Sequence, residues 1–372
     1  MKLQMDLEQI FIDVAQMQQT HTILLIDRGV MDGQAYVNED VWQAILDETG
    51  WSTIQLRDKR YEAVVHMMTA AEGAEEFYAI EKERESIEQA RTIDKRLIEA
   101  WVGHPQFNIV KNTKKGFKTK IDYCLKRVLT FIGMPQPTNL TRKYLLAANK
   151  PNIEINVPCG VKKEHFQLEE TFITTRVGQA NILRKVGKNG AFTYSHEMRY
   201  EIKGEKIQKK RQITAREYIE MIVSPDLTKQ KMMKTRQCFI YERQYFIVET
   251  FLNIEHFPSI LRVEMTNETK KLKLPPFLKV LREVTNDNAY ETWSMAAVDY
   301  IMPESDVFAI SEAILEERAN DPTQVLLMER INNRPGSARS SRKASDASLA
   351  PLKGTGLVAE ITPAQMEENL KK

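Results

Sequence analysis

The chain has 372 residues, 28% of them charged and 42% hydrophobic, with 53 Lys and Arg against 51 Asp and Glu. At about 150 residues per domain the length accommodates two domains and a tail, and the composition excludes a collagen-like, fully disordered or disulfide-scaffolded chain. Cys124, Cys159 and Cys238 are odd in number and too far apart for a CxxC knuckle, which fits a reducing cytoplasm. No apolar run approaches the roughly 18 residues of a membrane span, and the opening MKLQMDLEQIFIDVAQ carries acids where a signal peptide is basic and then apolar.

The even charge total conceals an acidic start and a basic middle. Residues 1–104 hold 10 Lys/Arg against 20 Asp/Glu, and residues 176–243 hold 16 against 7. A basic segment implies an anionic partner, with nucleic acid, polyphosphate, nucleotide and phosphoinositide head groups all qualifying on charge. Nucleic acid is the least favoured, because no aromatic platform interleaves regularly with the basic residues.

In chain order, residues 3–15 read as a helix, and apolar runs at 23–26, 63–68 and 107–110 read as buried parallel strands. Residues 75–101 read as one long helix, with Ile87, Ala90, Ile93, Leu97 and Trp101 at spacings of three and four. This alternation predicts an α/β domain with a parallel sheet over 1–133. A linker follows over 134–150, beginning at Gly133-Met134-Pro135.

From 151 to 303 the period becomes two. Phe192, Tyr194, His196, Met198, Tyr200 and Ile202 share one face of a strand, Gly187 to Gly190 supply the turn before it, and Thr214 with Glu217 makes a capping box. Two further strands are expected at 232–241 and 245–252. Polar residues on both faces of these strands predict an α+β domain built on an antiparallel β-barrel with a wet interior. A helical extension is expected over 304–330 and a disordered tail over 331–372, where Arg342-Lys343-Ala344-Ser345 reads as a basophilic-kinase site. The six histidines form no HxxxH or HExxH pair.

Ile23-Leu24-Leu25-Ile26 runs into Asp27-Arg28-Gly29, the pattern by which P-loop kinases place a carboxylate near Mg²⁺; a strand capped by a turn has the same pattern. The stretches Tyr61 to Ala74, Glu88 to Asp94 and Ala100 to Pro105 resemble the nucleoside-kinase-like P-loop domain of the TRPL translocation defect protein family. The resemblance implies GTP and Mg²⁺ as cofactors, with Asp27 and Arg28 near the metal, Arg91 facing the nucleotide phosphates and Asn112 near the base. From the residues alone, Arg91 reads as a solvated helix charge paired with Asp94. The phosphate loop GxxxxGK(S/T) does not occur in the sequence. The chain therefore reads as an N-terminally shortened member, from a variant transcript or an incomplete gene model, that binds nucleotide weakly or not at all. The loss leaves an apolar sheet edge near 23–26 uncovered.

Arg184, Lys185, Arg199, Lys234, Arg236, Arg243 and Arg262 lie in or beside expected strands. In the run Lys209-Lys210-Arg211, Lys209 and Arg211 are the pair two apart that is expected to share a face. Singly each is a surface charge; together, from different strands, they predict a cavity that grips a multiply charged phosphate ligand. The set IEINV, ILRKVGKNG, KKRQITAREYIEMI, KTRQCFIYERQYFIVETF and LRVEM resembles the CYTH, or triphosphate-tunnel, architecture fused to the P-loop domain in the same family.

That resemblance implies metal ligands at Glu154 and Glu264. Asn156, Pro158, Arg262 and Thr266 stand where further acids and a lysine belong, so metal chemistry reads as largely lost and binding is expected over hydrolysis. The implied function is a cytoplasmic, peripheral-membrane trafficking factor that binds phosphoinositide membranes, with nucleotide and membrane-protein cargo as further partners. The alternative is an enzyme, either a metal-dependent tunnel triphosphatase or a nucleoside-type kinase.

Overall fold

The computed structural model describes residues 1–18, 20, 22–78, 86–134, 141–147, 157–175, 179–202, 205–253, 259–265 and 272–319. Residues 1–319 cluster as one compact unit. The tail expected over 331–372, with its Ser345 site, lies outside the described residues, as does Glu154. Among the described residues no helix is long and apolar enough to cross a membrane.

The first part contains α1 (Lys2–Gln16), α2 (Glu39–Thr49), β1 (Val64–Met67), α3 (Ile87–Ala100), β2 (Phe107–Val110) and α4 (Phe117–Phe131). α3 begins at a capping box in which the Ser86 hydroxyl accepts from the Gln89 backbone N–H and the Gln89 side chain accepts from the Ser86 N–H. Its Ala90, Leu97 and Ile98 are buried. The expected helix over 75–101 therefore starts later, after a separate 3₁₀ turn at Glu75–Phe77.

β1 and β2 pair in parallel, Val64 opposite Phe107. The third expected strand is absent. Residues 22–26 form no strand and have no ladder partner among the described residues, and Ile23, Leu24, Leu25 and Ile26 are exposed. An apolar run becomes a strand only where a neighbour offers its backbone donors and acceptors, and none flanks this segment.

The second part is one sheet in the spatial order β11-β3-β10-β9-β8-β4-β5-β6-β7. Its strands are β3 (Thr141–Leu146), β4 (Lys163–Ile173), β5 (Gln179–Lys188), β6 (Ala191–Ile202), β7 (Glu205–Ile213), β8 (Met232–Tyr241), β9 (Gln244–Phe251), β10 (Ile260–Glu264) and β11 (Val280–Glu283). All its ladders are antiparallel. α5 (Ala215–Met221) follows β7, opening at the Thr214–Glu217 capping box, and α6 (Thr292–Met295) and α7 (Glu304–Ala319) follow β11.

The expected closed barrel is not formed by strand pairing: among the described residues no ladder joins β7 to β11. The wet face that suggested a barrel is shielded by packing instead. At one end of it Phe166, Leu168, Cys238 and Ile247 join Trp101, Val102 and Phe107 of the first part in a common core. At the other end Phe172, Ile182, Met232, Phe251 and Ile260 pack with Tyr290, Met295 and Ile310. The reverse face carries separate apolar clusters, including Phe239, Phe246, Val248 and Leu261 under β9 and β10, and Leu183, Ile213 and Tyr218 near α5.

Candidate functional site

Between those two apolar ends, the period of two places charged residues from successive strands side by side. Glu170 on β4 stands opposite Arg184 on β5, Glu197 on β6 opposite Lys210 on β7, and Arg236 on β8 opposite Glu249 on β9. On β10, Arg262 stands opposite Lys143 of β3, a like-charged pair relieved by Glu291, which lies 3.1 Å from Lys143 Nζ.

The carboxylates here are all held. Arg184 donates to Glu170 at 2.7 Å and to Glu197 at 3.1 Å. Arg199 Nε donates to the other Glu197 oxygen at 2.6 Å, and Arg236 Nε to Glu249 at 3.0 Å. Lys234 Nζ lies 2.6 Å from Glu170 and 3.5 Å from Glu249. Burial alone raises a carboxyl group's pKa, but at Glu170 the charges of Lys234 and Arg184 outweigh it and hold the group at about 2. Glu249 is likewise held well below its ordinary value, Lys234 and Arg236 overcoming burial.

The cations are less evenly satisfied. Arg262 reaches Glu249 and Glu264 only at 3.7 and 3.8 Å, and its buried Nε has no hydrogen-bond partner. Lys210 has no carboxylate within ion-pair distance among the described residues, since both oxygens of its cross-strand neighbour Glu197 are taken by arginines. Burial, followed by the charge of Arg184, pushes the Lys210 amine down to about 7. A face whose acids are all ion-paired, while Lys210 and Arg262 Nε lack close acceptors, is suited to an added anion.

The basic residues singled out from sequence divide by face. Arg184, Lys234 and Arg236 lie in the buried network, and Arg199 and Arg262 at its margin. Lys185 points to the opposite face, 3.1 Å from Glu169 and over the Phe192 ring. Lys209 is exposed, and the exposed Arg211 pairs with Glu217 at 2.8 Å. On this strand Lys210, between them, takes the charged face. Ile207 and Ile213 share the parity of Lys209 and Arg211, but Ile213 packs into the cluster on the reverse face. Arg243 sits in the two-residue β8–β9 turn, 2.6 Å from Glu72.

Sequence reasoning missed Glu170, Glu197, Glu249 and Lys210. The signal for Glu170 was present: it continues the Phe166, Leu168 parity on β4, and an acid on an apolar face implies a buried cation.

Glu264 accepts from Thr141 at 2.9 Å and from Arg127 at 3.0 Å. Among the described residues no three His, Cys, Asp or Glu side chains converge as a cation site, and Glu154, the other expected ligand, lies outside them.

In the first part, Arg91 and Asn112 converge on the loop after β1. Arg91 Nε donates to Ala71 O at 2.7 Å and Nη2 to Glu75 at 2.7 Å, with Glu72 at 3.3 Å, in place of the expected Asp94. Asp94 instead accepts from Thr69 N–H and meets His66 Nε2 at 3.1 Å. Asn112 donates to Thr69 O and Glu72 O and accepts from Lys120 Nζ at 2.8 Å. Asp27 is exposed and Arg28, at φ 72°, lies 3.5 Å from Asp32, with its carbonyl accepting from Gln4 of α1.

Residues 1–116 match a family described as an AAA domain. No curated protein matches the chain. Among solved structures, the chain is similar to the inorganic triphosphatase NE1496, at 20% identity over 45% of this chain and 99% of that one, with a TM-score of 0.31. It is similar to the PH1819 protein from Pyrococcus horikoshii OT3 at 14% identity over 35% and 79% of the two chains, TM-score 0.26. A putative adenylate cyclase from Bacillus halodurans is similar at 11% identity over 35% and 81%, TM-score 0.23.

Proposed function

We propose that the protein binds a compact anion of clustered phosphoryl groups on the charged face of its nine-stranded sheet. The observation that carries this reading is the imbalance just described: Glu170, Glu197 and Glu249 are each held by at least two cations, while Arg262 Nε has no hydrogen-bond partner and Lys210 has no carboxylate at ion-pair distance among the described residues. A phosphoryl cluster supplies the missing acceptors, and a guanidinium can take two of its oxygens at once.

Two sources present this chemistry, a free oligophosphate and a phosphoinositide head group. The burial of the network, with Glu170 and Lys234 each 1% exposed, supports the free anion over a head group held at a bilayer surface. The resemblance to the TRPL translocation defect protein family supports the head group, and only that arm brings a trafficking role with it. Calorimetric titration with inorganic tripolyphosphate, beside flotation with phosphoinositide vesicles, separates them. Arg262→Ala is expected to weaken tripolyphosphate binding by tenfold or more while leaving the melting temperature unchanged. Equal affinity of the two forms, or no binding at millimolar anion, overturns the reading.

In this reading residues 151–303 form the anion-binding part and residues 1–133 a nucleotide-type part, the latter supported by the AAA domain match over 1–116. GTP binding at Asp27, Arg28, Arg91 and Asn112 is tested by titration with Arg91→Ala as control. Hydrolysis is the second reading for the sheet. Phosphate release that needs Mg²⁺ or Mn²⁺ and is abolished by Glu264→Gln would replace binding with catalysis.

A further inference from the structure

We propose that Lys210 is the group that takes up a proton from solvent as the phosphate anion binds, which makes occupancy of the site fall as the pH rises above neutrality. This rests on the anion site proposed above and adds to it the group that adjusts the site's charge.

On β6 the cross-strand neighbour of Lys210, Glu197, is occupied on Oε2 by Arg184 at 3.1 Å and on Oε1 by Arg199 at 2.6 Å. The remaining acids of the face are also engaged: Glu170 of β4 and Glu249 of β9 share Lys234, and Glu249 is further held by Arg236. What acts on the amine is therefore mainly repulsion. Arg184 from β5, Arg236 from β8 and Arg262 from β10 all disfavour its charge, with Glu197 opposing them. Lys143 of β3 is drawn off to Glu291. His104, from the segment after α3, adds no charge: it is fully buried, its Nε2 donates to Tyr61 O and its Nδ1 accepts from Gln106 N–H, which fixes the neutral ring. Nearby, Arg57 and Asp58 neutralise each other at 2.7 Å.

An amine that is partly desolvated among guanidiniums, with no carboxylate as an ion-pair partner among the described residues, holds its proton more tightly once another anion arrives. A phosphoryl cluster is such an anion. Binding and protonation are then linked, each favouring the other by the same factor. The balance is one proton moving from buffer to Lys210 Nζ, with no bond to the ligand made or broken. Arginine in its place stays charged across the whole range and cannot report the effect.

The test is calorimetry of the full chain with inorganic tripolyphosphate in two buffers of different ionisation enthalpy, comparing the wild type with Lys210→Arg and Lys210→Met. The ligand's own titration is common to all three forms and cancels in the comparison. At pH 7 the wild type is expected to take up about half a proton more per anion than Lys210→Arg, and between pH 6 and pH 8 to lose about tenfold more affinity. Lys210→Met is expected to bind more weakly than the wild type at pH 6 and to approach it at pH 8.5. If wild type and Lys210→Arg bind the anion with equal proton uptake, or if Lys210→Met matches the wild type at pH 6, the proton linkage is wrong and the anion site stands. Should Lys210→Arg fail to fold, the Lys210→Met comparison decides alone. Absence of binding in every form overturns the site itself, and the linkage with it.

Discussion

Glu170 Oε2 and Lys234 Nζ face each other at 2.6 Å from adjacent strands, both side chains 1% exposed. Neither could be buried alone, because the interior penalises an unpaired charge far more than an unpaired dipole. Lys234→Met should therefore destabilise the protein by about 3–5 kcal/mol, leaving Glu170 with Arg184 alone and Glu249 with Arg236 as its close partner. Lys234→Met combined with Glu170→Gln should recover part of the loss. Urea unfolding of the three forms measures both effects, and an additive double mutant would refute the coupling.

His104 predicts a sensitivity to acid. Burial pushes its imidazole down to about 3, and the ring is neutral in the fold. A depressed histidine binds its proton more readily in the unfolded chain, so stability is full above about pH 6.5 and falls as the pH drops toward 3. The slope should reach at most about 1.4 kcal/mol per pH unit from this group. Unfolding midpoints between pH 8 and pH 4 should fall in the wild type, and more gently in His104→Gln.

Gly103 adopts φ +100° with no room for a side chain: a Cβ would come within 2.8 Å of Arg57 Nη2 and of the Phe166 ring. Gly103→Ala combines a left-handed backbone with a clash into the core that the first part shares with β4. A loss of about 2 kcal/mol or more is expected, read as a lower melting temperature, and a neutral result would contradict the packing described.

Glu242 and Arg243 occupy the β8–β9 turn at φ 45° and 58°, where Asn-Gly is the usual solution. Relief of the left-handed conformation in Arg243→Gly is worth about 1 kcal/mol, and the half-exposed ion pair with Glu72 is worth about 0–1 kcal/mol. The variant should be as stable as the wild type or slightly more so. A loss beyond 1 kcal/mol would mean that the link to Glu72 dominates.

Much of the architecture was legible where one face of an element differs from the other. The alternation of 192–202, the paired strands expected at 232–241 and 245–252 and the capping box at Thr214 need only local information, and the structure contains each, the second strand of the pair one residue earlier at 244–251. The run at 23–26 misled because hydrophobicity marks a segment that wants a partner without showing that one exists. Lys210 was passed over for a related reason. The reverse face of β7 carries the packed Ile213 beside the exposed Lys209 and Arg211, so apolar parity does not distinguish the charged face, and only the register opposite Glu197 does. The carboxylates of the network are illegible from charge patterning alone, because a basic segment does not show which counter-charges its burial requires.

The parallel pair of β1 and β2 is too small to hold a core by itself. Phe107 leans edge-on against Tyr245 of β9 at 5.4 Å, and the Tyr245 hydroxyl accepts from Gly103 N–H. Severed from the sheet, residues 1–133 would present Phe107 and its neighbours on β2 to water, so a recombinant fragment of that span should be soluble only with a fusion partner. The intact chain should melt as one calorimetric peak, with no plateau at which one half survives the other.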